Sequence, residues 1–322
     1  MTINCWICNQ ATVKKTVQLR SKKEATLHYC HVCDFEFFSH ENDALLSNNQ
    51  LDKTRLESAG LDIPKQEKDF ENGYNQSKTY VSDYLNKEDV GAKILEIGCS
   101  WGYFLKAAKE FGAVPYGLEI NPVRLEYVKE KLGINCKPSL EDYISSKTKF
   151  KKIFSFYCLE YIKHPLSFFN NLLNLLEPGG EIIFITPNLN DVLKDVWHNP
   201  GYQHFFYDEC AIGYYSFKAI NSLLNHLKKD RTIHTSVQTK QGYSLYNHLH
   251  WYFNQKPINN NCLVGGDRLP EDIKMVLEQD KSFIGDYLAN LIYRFDQEYK
   301  KVIEENNFGN QILIRIKKQC PV

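Results

Sequence analysis

The sequence predicts an α/β protein: a doubly wound, largely parallel sheet with a small N-terminal zinc ribbon in front of it and a helical insertion before its last strand. Three observations predict this. Between residues 91 and 188, apolar runs that read as strands alternate with stretches at helical spacing, the order that winds a parallel sheet. The run from Ile94 to Leu105 passes from a buried strand through a glycine turn (Gly98-Cys99-Ser100-Trp101-Gly102) into a helix, which is how a βα unit brings its main chain up to a ligand. The first forty residues carry two C-x2-C knuckles, Cys5-Trp6-Ile7-Cys8 and Cys30-His31-Val32-Cys33.

Composition narrows the function classes. With 39 basic and 39 acidic residues the chain has no net field that would draw it to nucleic acid or an anionic membrane. No run approaches ~18 consecutive apolar residues, and the start lacks a basic then apolar leader, so the expected protein is soluble and cytoplasmic. In that compartment its ten cysteines read as metal ligands and free thiols rather than disulfides.

In chain order, residues 1–40 form the ribbon. Cys5, Cys8, Cys30 and Cys33 supply the four thiolates of a tetrahedral Zn²⁺ site with no open position, so the metal is structural and supplies folding energy to a module too small for an apolar core. Residues 41–90 read as a polar connector followed by helix from Gln66 to Leu85. Tyr74 and Tyr80 on that helix either pack it against the next domain or point into a substrate site.

Residues 91–240 form the core. In its first strand Glu96 places an acid at the mouth of the glycine turn, which suits a ligand bearing an ammonium group, such as S-adenosylmethionine (SAM). The second strand, from Val114, ends in Glu119, 23 residues after Glu96, where a carboxylate can accept both hydroxyls of a ribose. Asn121-Pro122 starts the following helix. Ser139 caps a further short helix, and its turn lies beside the same crevice. A fourth strand with its exit loop over 152–161 and a fifth strand over 181–188 complete the parallel part, with His164-Pro165 and Glu177-Pro178-Gly179-Gly180 bounding the helix between them. A helix from Tyr214 to Lys228, a strand over 232–239 and a final strand over 311–317 follow. Residues 241–308 form the insertion, with helices at 271–280 and 283–306, and residues 309–322 close the sheet.

The glycine loop, the acid ending strand two, the Leu159-Glu160-x-Ile162-x-x-Pro165 exit from strand four and the Glu-Pro-Gly-Gly before strand five resemble, in their order, the class I SAM-dependent methyltransferases. The resemblance covers about Gly91 to Asn188. It implies that Glu96, Gly98, Ser100, Gly102 and Tyr103 hold the methionine part of SAM. Glu119 and Ile120 then serve the ribose, Ser139, Leu140 and Glu141 the adenine, and Tyr157 and Cys158 the region of the sulfonium. Ser100 stands where many members have a glycine, which implies a wider turn. The four-cysteine ribbon looks like that of C-methyltransferases acting on nucleotide-linked deoxysugars, and residues 242–257 look like methyltransferases from surface-polysaccharide gene clusters. The implied acceptor is a small molecule, an activated sugar or sugar nucleotide, with no membrane or nucleic-acid partner.

The stretch from Asp191 to Glu209 leaves strand five and should roof the substrate side. His204 within it is the first candidate for a general base, since its unperturbed pKa suits proton removal near neutrality. Glu160 and Tyr161 are the reserves. Asn247 and His248, beside Trp251, are candidate substrate contacts. Two rival readings are an RNA base methyltransferase that grips RNA with the ribbon and a non-catalytic adaptor built on the same fold.

Overall fold

The computed structural model describes residues 3–38, 67–208, 210–229, 231–257 and 283–320. The expected connector at 41–64 and the expected helix at 271–280 lie outside them.

The ribbon is built from β1 (Val13–Gln18), β2 (Glu24–Cys30) and β3 (Phe35–Phe38), paired antiparallel in sequence order. After α1 (Glu67–Tyr84) the core runs β4 (Lys93–Ile97), α2 (Tyr103–Phe111), β5 (Val114–Leu118), α3 (Pro122–Glu130), β6 (Asn135–Lys137), α4 (Leu140–Ser145), β7 (Phe150–Phe156), α5 (Pro165–Leu175) and β8 (Leu176–Pro187). The lid comprises α6 (Val192–Asp195) and α7 (Pro200–Phe206). It is followed by β9 (Gly213–Tyr215), α8 (Phe217–Lys228), β10 (Ile233–Lys240), α9 (Leu245–Asn254), α10 (Phe283–Glu305) and β11 (Gln311–Lys318).

Seven strands form one sheet in the order β10-β11-β8-β7-β4-β5-β6. Strands β4 to β8 run parallel to one another, and β11 is inserted antiparallel between β8 and β10. This is the expected doubly wound sheet with its reversed last strand. Because side chains alternate along a strand, each strand feeds two cores. Leu95, Ile153, Ile182 and Ile314 pack one face under α5 and α8, while Ile94, Phe154, Ile183 and Leu313 pack the other under α1, α2 and α3. Both faces are covered, as a parallel sheet requires. No helix among the described residues is long and apolar enough to cross a membrane.

Two elements differ from the sequence expectation. The helix expected from Tyr214 begins only at Phe217, capped by the Ser216 hydroxyl, which accepts from the Ala219 amide at 3.0 Å. Residues 213–215 instead form β9, which pairs antiparallel with β3 and makes the ribbon a four-stranded sheet. Aromatic packing favours the strand: Tyr215 is fully buried with its ring 4.7 Å from that of Phe35. Residues 177–180, expected to separate helix from strand, belong to an extended β8 with a register shift opposite Phe150–Lys152.

Candidate functional site

The glycine turn after β4 is held by its neighbours. The amides of Gly98 and Cys99 both donate to the Leu118 carbonyl, at 2.8 and 3.0 Å, tying the turn to the end of β5. Gly98 and Gly102 have φ of +71° and +77°, a region that favours glycine. Space excludes a larger residue as well. A Cβ on Gly98 would lie 2.9 Å from the Cys158 Sγ, and one on Gly102 would lie 2.7 Å from Leu132. The loop leaving β7 therefore passes directly against the turn. Ser100 takes φ +49°, the left-handed backbone region that favours glycine.

Glu119 joins the two turns. One carboxylate oxygen accepts the Ser100 amide and the other the Asn121 amide, each at 2.8 Å. Each oxygen keeps acceptor capacity for a further donor. Asn121 caps α3 by accepting from Val123 and Arg124, and Pro122 fills the first helical position, as its sequence signals. Beside Glu119, Ile120 is 69% exposed, an apolar surface at the strand ends. Ser139 caps α4 through the Asp142 amide, with Leu140 buried and Glu141 exposed.

Glu96 is the unsatisfied member. It is buried, and its Oε2 has no hydrogen-bond partner among the described residues. Burial first, then Cys136 and Glu119, push its carboxyl well above the usual carboxylate range. An orphaned buried carboxylate oxygen costs free energy until a donor reaches it. Tyr103, expected at the methionine end, packs under α1, with its ring 4.8 Å from Phe70 and tight against Gly73.

The exit from β7 forms the other wall. Tyr157 has φ +56° and donates its amide to the Ile185 carbonyl at 2.8 Å. Its phenol lies near that of Tyr80, whose ring stacks on Phe156 at 4.4 Å and 6°. Tyr80 thus reaches the site. Tyr74 does not: its hydroxyl donates to Glu110 on α2, and Lys78 and Lys106 cover its ring. Glu160 is buried and accepts from the Thr186 hydroxyl at 3.1 Å, while its carbonyl accepts the Ile212 amide. Tyr161 packs into a cluster with Leu189, Tyr207 and Tyr214.

In the lid, Asp191 caps α6 through the Leu193 amide at 2.7 Å and accepts the Tyr202 hydroxyl at 2.9 Å. Burial raises its carboxyl to about 6. Burial, then Asp191, then the Tyr243 phenol push Tyr202 well above the ordinary tyrosine range. Tyr243 also lies close enough to Tyr157 for its charge to be felt, so phenols extend from the β7 exit toward the lid.

His204 is on the opposite, exposed side of α7, lining a cleft against the ribbon hairpin. The structure does not bring it together with Glu160 and Tyr157. His248 is fully buried, and burial lowers its imidazole to about 3. Its Nε2 accepts from the Gln241 amide (3.2 Å), and its Nδ1–H donates to the Tyr299 hydroxyl (2.7 Å). Both ring nitrogens are thereby committed to internal packing. Asn247 keeps a buried Oδ1 without a partner among the described residues. Sequence reading missed Asp191, Tyr202 and Tyr243. The caps Asp191 and Asn199-Pro200 were visible signals for α6 and α7, but no local pattern announces which phenols meet.

At the N-terminus the thiol sulfurs of Cys5, Cys8, Cys30 and Cys33 all lie within 4.8 Å of one another, with three of the four residues buried. Burial pushes the Cys5 thiol up to about 12.

Residues 71–252, over half of the chain, match the methyltransferase domain family. Malonyl-[acyl-carrier protein] O-methyltransferase 1 of Ilyobacter polytropus is 34% identical over 147 residues, covering 42% of this chain and 53% of that protein. The ubiquinone biosynthesis O-methyltransferase of Actinobacillus pleuropneumoniae is 29% identical over 120 residues, 33% of this chain and 51% of that protein. The chain spans about half the length of the curated relatives it matches. Among solved structures, the plantazolicin methyltransferase BpumL in complex with a triazolic desmethylPZN analog and SAH is similar, with TM-score 0.50, 15% identity, and coverage of 86% of this chain and 94% of that one. That likeness supports the fold that the strand order already describes, and the sheet, its glycine turn and the family match together place this chain among the class I SAM-dependent methyltransferases.

Proposed function

We propose that the protein transfers a methyl group from SAM to a small polar acceptor, with an activated sugar as the finer reading of that acceptor. The observation that carries the proposal is the buried, partnerless Glu96 Oε2 beside the glycine turn, a position that suits the ammonium group of the methionine end. Glu119 offers the remaining lone pairs of both its oxygens to a ribose, the turn at Ser139–Glu141 flanks the adenine, and Ile120 covers it. SAM supplies an electrophilic methyl on a good leaving group, so the chain's part is to orient the acceptor, exclude water and take up a proton. Tyr80 and Tyr157 orient the acceptor through paired phenols. Glu160 is a better-placed base than His204, because it lies close enough to Tyr157 for its charge to be felt, whereas His204 faces the ribbon-side cleft. The named relatives are O-methyltransferases, and a hydroxyl acceptor would suit this arrangement.

The four N-terminal cysteines are proposed to hold a structural Zn²⁺. A tetrahedral site with Zn–S of about 2.3 Å needs mutually close sulfurs and buried thiolates, which suits this cluster.

Two measurements test the reading. Incubation with labelled SAM and a panel of nucleotide-sugars, hydroxylated small molecules and RNAs, followed by mass spectrometry, should label a small polar acceptor; labelling of RNA alone would overturn it. The second uses pH. The Glu96 carboxyl is raised, so the apo protein holds a proton there below that pKa, and an incoming ammonium favours the ionised form. Affinity for S-adenosylhomocysteine should therefore improve as pH rises through the raised pKa, with proton release on binding below it. Glu96→Gln should flatten this dependence and weaken binding by about 1–3 kcal/mol. An unchanged pH profile in that variant removes Glu96 from the cofactor site.

A further inference from the structure

The cleft that receives His204 has a composition unlike that of the methyl-transfer crevice. It measures about 370 Å³ and lies where the hairpin of the ribbon, the lid helix α7 and the end of α9 converge. Lys22 enters from the hairpin, Lys256 from beyond α9 and His204 from α7, while Phe205 and Trp251 form an apolar wall. None of the described residues lining it is acidic. Arg20 also lines the cleft and is pre-set: its guanidinium lies 4.0 Å over the Phe205 ring, its Nε donates to the Phe205 carbonyl at 2.9 Å, and Asp208 pairs with it at 3.1 Å. Lys22 and Lys256 have no such partner. Neither makes an ion pair among the described residues, although they converge from positions more than two hundred residues apart. The Lys22 backbone is held left-handed (φ +69°) in a turn closed by its own amide donating to the Leu19 carbonyl.

Two unpaired ammonium groups, an oriented guanidinium and an imidazole around an apolar wall suit a compact polyanion attached to a ring. The volume lies within the ordinary range of small-ligand pockets. We propose that this cleft is a binding site for an organic phosphate, the phosphate groups held by Lys22, Lys256 and His204 and the attached ring lying along Phe205 and Trp251. A ligand there joins the ribbon to the lid, so its binding energy favours one arrangement of the two.

The test is calorimetry on the zinc-loaded full chain with saturating S-adenosylhomocysteine, which keeps nucleotides out of the cofactor crevice. Uridine diphosphate is the probe and uridine its uncharged control. Uridine diphosphate should bind, uridine should bind at least about tenfold more weakly, and raising the salt should weaken the diphosphate. The exposed pair Lys22→Ala and Lys256→Ala together should reduce uridine diphosphate affinity by about tenfold or more and leave S-adenosylhomocysteine affinity unchanged. The proposal is overturned by no binding up to about 10 mM, by equal binding of uridine, or by equal affinity in the double variant. A cleft that retains an RNA oligonucleotide but not the diphosphate also overturns it.

Discussion

The proposed cofactor side and the proposed acceptor side of this molecule are built on different principles. The first is made of main chain: Gly98, Ser100 and Gly102 at positive φ, two amides on the Leu118 carbonyl, and one carboxylate, Glu119, tying successive βα turns together. Its parts lie within about 25 residues of sequence. The second is made of side chains delivered from distant places: Tyr80 from α1, Tyr157 and Glu160 from the β7 exit, Asp191 and Tyr202 from the lid, and Tyr243 from the insertion. Cofactor binding and acceptor handling should therefore fail separately.

Emptying the proposed Zn²⁺ site should separate the two sides most strongly. The ribbon shares a ladder with β9, the Phe38 amide donates to the Ile212 carbonyl at 3.0 Å, and the Ile212 amide donates to the Glu160 carbonyl at 2.8 Å. Unfolding the ribbon therefore releases the segment that backs Glu160, while the hydrogen bonds of the glycine turn go to Leu118 and Glu119. Cys30→Ser, or a strong chelator, should lower turnover by about 100-fold or more, the scale of a small misplacement of reacting groups. S-adenosylhomocysteine affinity should change by less than about threefold. Equal loss of both by calorimetry and single-turnover assay would merge the two sides into one unit.

Gly98→Ala attacks the other half. The new Cβ meets the Cys158 Sγ at 2.9 Å on a backbone with φ +71°. The strain is about 1–3 kcal/mol, and the turn must shift to relieve the contact. S-adenosylhomocysteine affinity should fall by about tenfold or more. Adding Cys158→Ala removes the steric part and should restore some affinity but not all, since the backbone strain stays. No recovery in the double variant, read as a cycle, would show that the Cys158 contact is unimportant.

How much the sequence disclosed follows the same division. The parallel sheet and its reversed last strand were legible because each is a local signal, a run or a turn, and the proposed cofactor acids Glu96 and Glu119 stand out in the same way, as carboxylates near strand ends. Local signals also misled. Tyr214-Tyr215 reads as helix by spacing, yet a tertiary ladder to β3 takes it as strand. His204 attracts a catalytic role by its chemistry, but helix periodicity turns it to the outer cleft while Tyr202, two residues earlier, faces Asp191. His248 has both nitrogens engaged by Gln241 and Tyr299, partners 7 and 51 residues away, which no local pattern encodes.

The smallest change is also the most discriminating. Tyr80→Phe keeps the ring stacked on Phe156 and deletes only the hydroxyl that lies near the Tyr157 phenol. One hydrogen bond from that hydroxyl to the acceptor is worth about 0.5–1.5 kcal/mol, so kcat/KM for the true acceptor should fall by about two- to tenfold. S-adenosylhomocysteine affinity should stay constant, because Tyr80 belongs to the side-chain half. Tyr74→Phe is the matched control: it lies on the same helix and loses only its bond to Glu110, so both parameters should hold. If the two variants behaved alike, the phenol pair would have no special part in acceptor orientation. If Tyr80→Phe weakened cofactor binding as much as turnover, the boundary between the halves would run on the other side of α1.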